Sequence, residues 1–435
     1  MFDRAFINGK LYINHAWQYT NLYIKDEKIA CLSDDILPAI ETIDVKGLEV
    51  LPGVIDPHVH FELDLGFIKS VDDFYSGSVA ALYGGVTSYV DFLEPVDNEV
   101  DLEIAFNKRM ALAKKSVVDY HFHACIKNPQ GDLEAFVKKM KSLGMNTLKL
   151  FTTYSDSNRR TYDPEIIELL KLSKKYHFLI MAHIENDDLI VLDPKFTYKD
   201  LLTSRPTQSE TVEALKLAEF TRQTKGWMYM VHLSSGKTLE ALIQNYPDIL
   251  NQHFFVESCP QYFTLTKDVL ERPDGFLYTF APPLRTEHEK ELLFQYQEAV
   301  YTIGTDHCAF MRKDKDKATL RETPLGIGGI EHALGMMRYH LGDEVIPKMT
   351  SRVAFTQSLV SKGAIIEGYD ADLVIFKPDD SARVHGNHGS CDYSVYENYP
   401  TAGKVISTLV RGEFVLRDQK FIGGHGKWIE GSDFK

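Results

Sequence analysis

The chain has 435 residues, 44% hydrophobic and 25% charged, with a formal net charge of −14; it can bury one large core plus a smaller one, and it has no cationic surplus to attract nucleic acid or an anionic membrane. Its five cysteines (Cys31, Cys125, Cys259, Cys308, Cys391) are scattered and form no C-x-x-C pair, which argues against a disulfide framework and for a reducing, cytoplasmic setting. The start, Met1-Phe2-Asp3-Arg4, lacks the basic and apolar regions of a signal peptide, and no apolar run approaches the ~18–20 residues needed to cross a bilayer.

Residues 1–52 read as short strands and tight turns. Arg4–Ile13 contains Asn8-Gly9, a hairpin-turn signal, and Leu22–Ile29 bends at Asp26-Glu27. The middle of the chain alternates. Apolar strand-like runs occur at Val54–Phe61, Val86–Phe92, Tyr120–Ile126, Thr147–Phe151, Leu179–His183, Trp227–His232, His253–Ser258 and Tyr301–Thr305. Helix-compatible segments separate most of them: Val71–Tyr83, Glu103–Lys115, Leu133–Ser142, Pro164–Lys175 and Thr207–Thr221. Past residue 355 the β-rich character returns in Ala371–Phe376, Lys404–Val410 and, after Arg411-Gly412, Glu413–Leu416. The pattern predicts an α/β fold: a (β/α)₈ TIM-like barrel over 53–354, with a small β-sandwich domain built from both termini, 1–52 plus 355–435. An open, doubly wound sheet would share the same alternation.

Reactive groups of such a barrel gather at the C-terminal ends of its strands. Here the first strand ends His58-Val59-His60, the fourth contains Lys149, the fifth ends at His183, the sixth at His232, and the eighth runs into Asp306. His58 and His60 are two residues apart on a strand and so share a face. They read either as a zinc-ligand pair or as hydrogen-bonded core histidines. His121-Phe122-His123 has the same spacing with no second motif around it and reads as structural. Lys149 lies in an apolar strand, as half of a buried ion pair or as an amine whose pKa burial lowers. A neutral amine can take up carbon dioxide as a carbamate, a two-oxygen anionic ligand. His183 and His232 are each ligands or satisfied histidines, and Asp306 is a ligand, a general base or a helix cap. Two tempting motifs fail: Gly236-Lys237-Thr238 lacks the earlier glycine of a phosphate loop, and Gly326-Ile327-Gly328 is followed at 331 by Glu rather than Gly.

Taken together, Pro52-Gly53-Val54-Ile55-Asp56-Pro57-His58-Val59-His60, Gly84-Gly85-Val86-Thr87, Leu148-Lys149-Leu150-Phe151 with Tyr154, His183-Ile184-Glu185-Asn186, His232-Leu233-Ser234, Glu257-Ser258-Cys259-Pro260-Gln261-Tyr262, Pro282-Pro283-Leu284-Arg285 and Gly304-Thr305-Asp306-His307-Cys308 resemble the cyclic amidohydrolases, the dihydropyrimidinase/hydantoinase group in particular. The resemblance implies two zinc or other divalent ions per chain. His58, His60 and Asp306 would hold one and His183 and His232 the other, with carboxylated Lys149 and a hydroxide between them. It also implies that Tyr154 assists at the carbonyl under attack, that Asp306 shuttles the proton, and that a small cyclic amide or ureide is opened by a homo-oligomer, a tetramer or dimer. Departures bear on the substrate. Where many dihydropyrimidinases have Ser and Asn, this chain has Ala281 and, in the aligned loop, Leu325. Where dihydroorotases place Arg, it has Glu62. A carboxylate there would repel a substrate carboxylate, so a neutral ring such as dihydrouracil or a hydantoin is expected ahead of dihydroorotate; allantoin is the further alternative, with Tyr154, five residues after Lys149, favouring the hydantoinase side. Some relatives are non-catalytic structural proteins that have lost metal ligands; all six ligand positions are present here.

Overall fold

A computed structural model describes residues 1–435. Five strands open the chain: β1 (Phe2–Ile13), β2 (Ala16–Lys25), β3 (Lys28–Ser33), β4 (Ala39–Asp44) and β5 (Glu49–Pro52). Eight follow in the middle: β6 (Val54–Val59), β7 (Val86–Phe92), β8 (Asp119–Cys125), β9 (Thr147–Phe151), β10 (Leu179–His183), β11 (Met228–Leu233), β12 (Phe254–Ser258) and β13 (Thr302–Ile303). Four close it: β14 (Leu373–Pro378), β15 (Gly403–Val410), β16 (Glu413–Arg417) and β17 (Lys420–Phe421).

The middle eight pair in chain order from β6 to β13, and every pairing is parallel. The ends of that sheet meet. Val59 bridges His307 in parallel, and the His60 N–H donates to the His307 carbonyl at 2.8 Å. This closes the barrel and rules out the open sheet. Helices Phe74–Tyr83, Glu99–Ala113, Leu133–Ser142, Asp163–Tyr176 and Thr207–Thr224 cover the outside. Their starts follow from capping chemistry: Asp73, Asn98 and Asp132 each accept backbone N–H groups of the first turn. Phe92, Leu179, Met181, Tyr229, Val231 and Phe255 form a buried interior cluster with Phe434. The tail brings Phe434 there by running under the barrel, where Trp428 bridges Tyr120. Gly426 is required on that path, because a Cβ would meet the Val118 carbonyl oxygen at 1.9 Å.

The terminal strands form one nine-stranded sheet, ordered β17-β16-β15-β14-β5-β1-β2-β3 with β4 on β1. It wraps a second core of Phe6, Leu11, Leu22, Val50, Leu373 and Leu409 as a small β-sandwich. One turn expectation is corrected. Asn8-Gly9 is not a hairpin turn but an irregularity within β1, where the register with β2 shifts between Phe6 and Gly9. The Asn8 N–H is satisfied by the Asn21 side chain at 3.1 Å. The bend lets one half of β1 pair with β4 and the other with β5. The hairpin turn lies at Asn14-His15, with φ of 49° and 62°; Asp26-Glu27 is a tight turn as expected, and Arg411-Gly412 forms another. No helix is long and apolar enough to cross a membrane.

Candidate metal centre

The C-terminal rim of the barrel brings the sequence-selected groups together. His58 Nε2 and His60 Nε2 lie 3.2 Å apart, and each faces Asp306 Oδ1, at 3.1 and 3.2 Å. A tetrahedral zinc with bonds of about 2.0–2.2 Å would space its ligand atoms about 3.3–3.6 Å apart. The donor triangle is close to that spacing, so these three residues fit a divalent cation. Asp306 takes its place with φ 51° and His232 with φ 40°. Such left-handed backbone costs about 1–3 kcal/mol per non-glycine residue and gathers at functional sites.

Protonation states agree with a ligand set. Burial lowers His60 to about 4 and pushes His183 down and His232 well below its usual range, leaving imidazole lone pairs free at neutral pH. His58 goes the other way: burial opposes its charge, but the carboxylates of Asp306 and Glu257 outweigh it and raise the pKa to about 9. The Asp306 carboxyl, despite burial, is held well below its ordinary range by His58 and His60. The site calls for positive charge between its two anions.

His183 and His232 stand beside this triangle, with ring centroids 4.6 Å apart and His232 5.5 Å from His58. The buried His232 Nδ1 has no hydrogen-bond partner. Lys149 is buried with its ammonium 5.1 Å over Phe92 and 5.4 Å over Phe151, and it forms no ion pair. Burial lowers its pKa to about 8. The ion-pair reading of Lys149 therefore falls, and the amine is poised to lose its proton.

The orienting carboxylates were not assigned roles from sequence. Glu257 Oε1 receives His58 Nδ1 at 2.8 Å and the His232 N–H at 3.0 Å, and its Oε2 accepts from Tyr229 at 2.7 Å. Bound at Nδ1, His58 presents Nε2 to the site. Gly304 makes room for that carboxylate, which a Cβ would meet at 2.9 Å. Glu185 does the same for His183, 2.7 Å from its Nε2, and pairs with Arg205. Asp56 anchors Thr305 by its hydroxyl at 2.5 Å, one residue before Asp306. His-x-Glu at 183–185 was the one local signal available. His121 and His123 are structural as read: His121 Nδ1 bonds to the Ile429 carbonyl at 2.7 Å, and His123 bridges Thr147 and the Pro57 carbonyl at 2.6 and 2.8 Å.

Beside the donor set opens a cleft of about 640 Å³, lined by Leu65, Tyr154, Arg159, Arg205 and Leu325 among others. Tyr154, at φ 68°, lies 5.1 Å from the His183 ring, with the Arg205 guanidinium 4.9 Å over its own ring. Glu62 and Ala281 are not part of this lining. Glu62 has a left-handed backbone, φ 50°, and its carbonyl accepts from Arg109 at 3.3 Å.

The sequence profile described as the amidohydrolase family matches residues 50–415. The chain is 32% identical over 446 residues to a D-hydantoinase of Geobacillus stearothermophilus, covering 94% of this chain and 92% of that one. Its fold superposes on the D-hydantoinase of Bacillus sp. AR9 with a TM-score of 0.93, at 27% identity and full coverage of both chains. With the dihydropyrimidinase of Brevibacillus agri NCHU1002 the TM-score is 0.90, at 26% identity and 99% coverage of each.

Proposed function

The chain belongs to the amidohydrolase family, and on that premise we propose that it hydrolyses the C–N bond of a cyclic amide, in a ring of the hydantoin or dihydropyrimidine type. His58, His60 and Asp306 would hold one divalent ion and His183 and His232 a second, with Lys149, as its carbamate, a further anionic ligand. Such ions, when bound, polarise a carbonyl and make water acidic enough to serve as a nucleophile near neutral pH.

The chain's own residues do the rest. Asp306 is kept an anion by its histidine neighbours and, through the carboxylate oxygen not turned to His58 and His60, takes one proton of the attacking water. It then delivers that proton to the departing ring nitrogen, while the water's second proton leaves to solvent, so the broken bond ends as a carboxylate and a neutral nitrogen. The Tyr154 hydroxyl, which burial raises and so keeps protonated, donates to the carbonyl oxygen as negative charge builds there. Glu257 and Glu185 keep His58 and His183 in the tautomers that aim lone pairs inward.

The observation that carries this reading is the convergence of four imidazoles, one carboxylate and an unpaired buried lysine on one rim. The test is elemental analysis of protein purified without chelator, followed by a hydrolysis screen with hydantoin, dihydrouracil, allantoin and dihydroorotate. About two metal equivalents and chelator-sensitive opening of at least one ring are expected. Full metal loading with no ring opened overturns the proposal and favours a non-catalytic role.

A further inference from the structure

The cleft is far larger than a bare five- or six-membered ring requires and falls in the range of pockets for substituted ligands. Its charged lining is uneven in commitment. Arg205 is paired with Glu185. Arg321 is exposed. Among the acids, Asp187 is engaged by Thr153 and Ser155 and by Arg160 at 3.3 Å, Asp193 accepts the Lys195 N–H at 2.8 Å, and Asp156 is exposed. Arg159 alone is half-buried and uncommitted: its guanidinium has no ion-pair or hydrogen-bond partner, although its neighbour Arg160 has two acids within reach.

Arg159 lines the same cleft as Tyr154, whose ring lies 5.1 Å from that of His183. A half-buried guanidinium left without an anion forgoes its strongest interaction, the bidentate contact with a carboxylate. Glu62, the basis for expecting a neutral substrate, is not among the residues of this wall.

We propose that the ring opened by this protein carries an arm ending in a carboxylate, and that Arg159 binds that carboxylate as the specificity-determining residue. The inference rests on the ring-opening reading above, and its test separates the two. Two hydantoins with identical arms, one ending in a carboxylate and the other in the carboxamide, are compared on the metal-loaded protein by calorimetric binding and by initial rates. Wild type is expected to favour the carboxylate roughly ten- to hundredfold in both readouts, the range of a hydrogen bond to a charged group. Arg159→Gln is expected to bring the ratio close to one, and Arg159→Lys to keep part of it. Equal or reversed preference in wild type, or a preference that survives Arg159→Gln, overturns the assignment. An Arg159-dependent binding preference with neither ring opened supports this site and instead overturns the ring-opening reading.

Discussion

Two buried clusters sit at opposite ends of the barrel and look alike in outline. At the C-terminal rim are His58, His60 and Asp306; at the floor are Asp119, Asp370 and Asp372, each set of ligand atoms lying within 4.8 Å. Each cluster has a buried lysine nearby. The floor lysine, Lys362, touches all three carboxylates, at 2.7 Å from Asp119 and Asp372 and 3.0 Å from Asp370. Arg411 pairs with Asp119 as well, and its backbone N–H donates to Asp372 at 2.7 Å. Burial works against the Lys362 charge, yet the three acids raise its pKa. Lys149 at the rim has no such partner, and its pKa falls to about 8. The floor is a saturated ion network joining barrel to sandwich; the rim leaves lone pairs and an amine open. Saturation, not spacing, separates the floor cluster from the rim.

The sharpest way to break this comparison is at Asp306. Asp306→Asn should lower kcat by ~10²–10⁴, the usual contribution of a general acid–base group, while the thermal midpoint stays near wild type. Near-native turnover with both metals bound would remove Asp306 from the chemistry.

One substitution made at both ends should then give opposite results. Lys362→Met strands three carboxylates and is expected to cost ~3–5 kcal/mol in urea unfolding, with turnover per folded molecule retained. Lys149→Met removes a charge that burial disfavours, so the metal-free protein should unfold no earlier than wild type. Its metal content and activity should collapse. If both variants lose stability alike, the distinction between the two lysines is wrong.

A smaller effect is expected at the orienting carboxylate. Glu257→Gln should weaken metal affinity by ~10–100-fold in chelator competition, because His58 exchanges an anionic acceptor for a weaker, neutral amide oxygen. Unchanged affinity would make Glu257 a packing residue.

The smallest effect is in pH dependence at the floor. Asp370, although partly buried, is held below its ordinary range by Lys362 and Lys28. A lowered carboxyl pKa adds stability that is full above the unfolded value, ~3.9, and is lost as pH falls through the folded one. The raised Lys362 contributes fully below ~10.4, the unfolded lysine value, and loses its share as pH rises through the folded one. Asp372, by contrast, is raised by burial despite Lys362, so the stability gap between wild type and Lys362→Met should narrow as pH falls, beginning above the ordinary carboxylate range. A gap that widens in acid would contradict the pairing.

Much of this molecule was legible in one dimension. Strand periodicity and helix caps act over a few residues, so Val86–Phe92, Thr147–Phe151, Leu179–His183 and helix Leu133–Ser142 were located to the residue. The rim followed from the same local rule: in a parallel barrel the C-terminal strand ends share one face, so His58, His60, Lys149, His183, His232 and Asp306 were bound to meet once the strands closed. Turn chemistry carried Asp26-Glu27 but misassigned Asn8-Gly9, since a left-handed Asn serves a bulge as well as a hairpin, and strand pairing decides which.

The remainder depended on contacts that no local window contains. Glu257 finds His58 across 199 residues, Lys362 finds Asp119 across 243, and Phe434 fills the interior of a barrel whose strands lie far upstream. A side chain's charge state and availability are set by what surrounds it in space, through burial and pairing that act over a few ångströms whatever the separation along the chain. Residue type and strand position therefore determined by themselves which groups reach the rim. Only the tertiary structure decided that Lys149 is left without an acid, that Lys362 is surrounded by them, and that Arg159 rather than Glu62 faces the cleft.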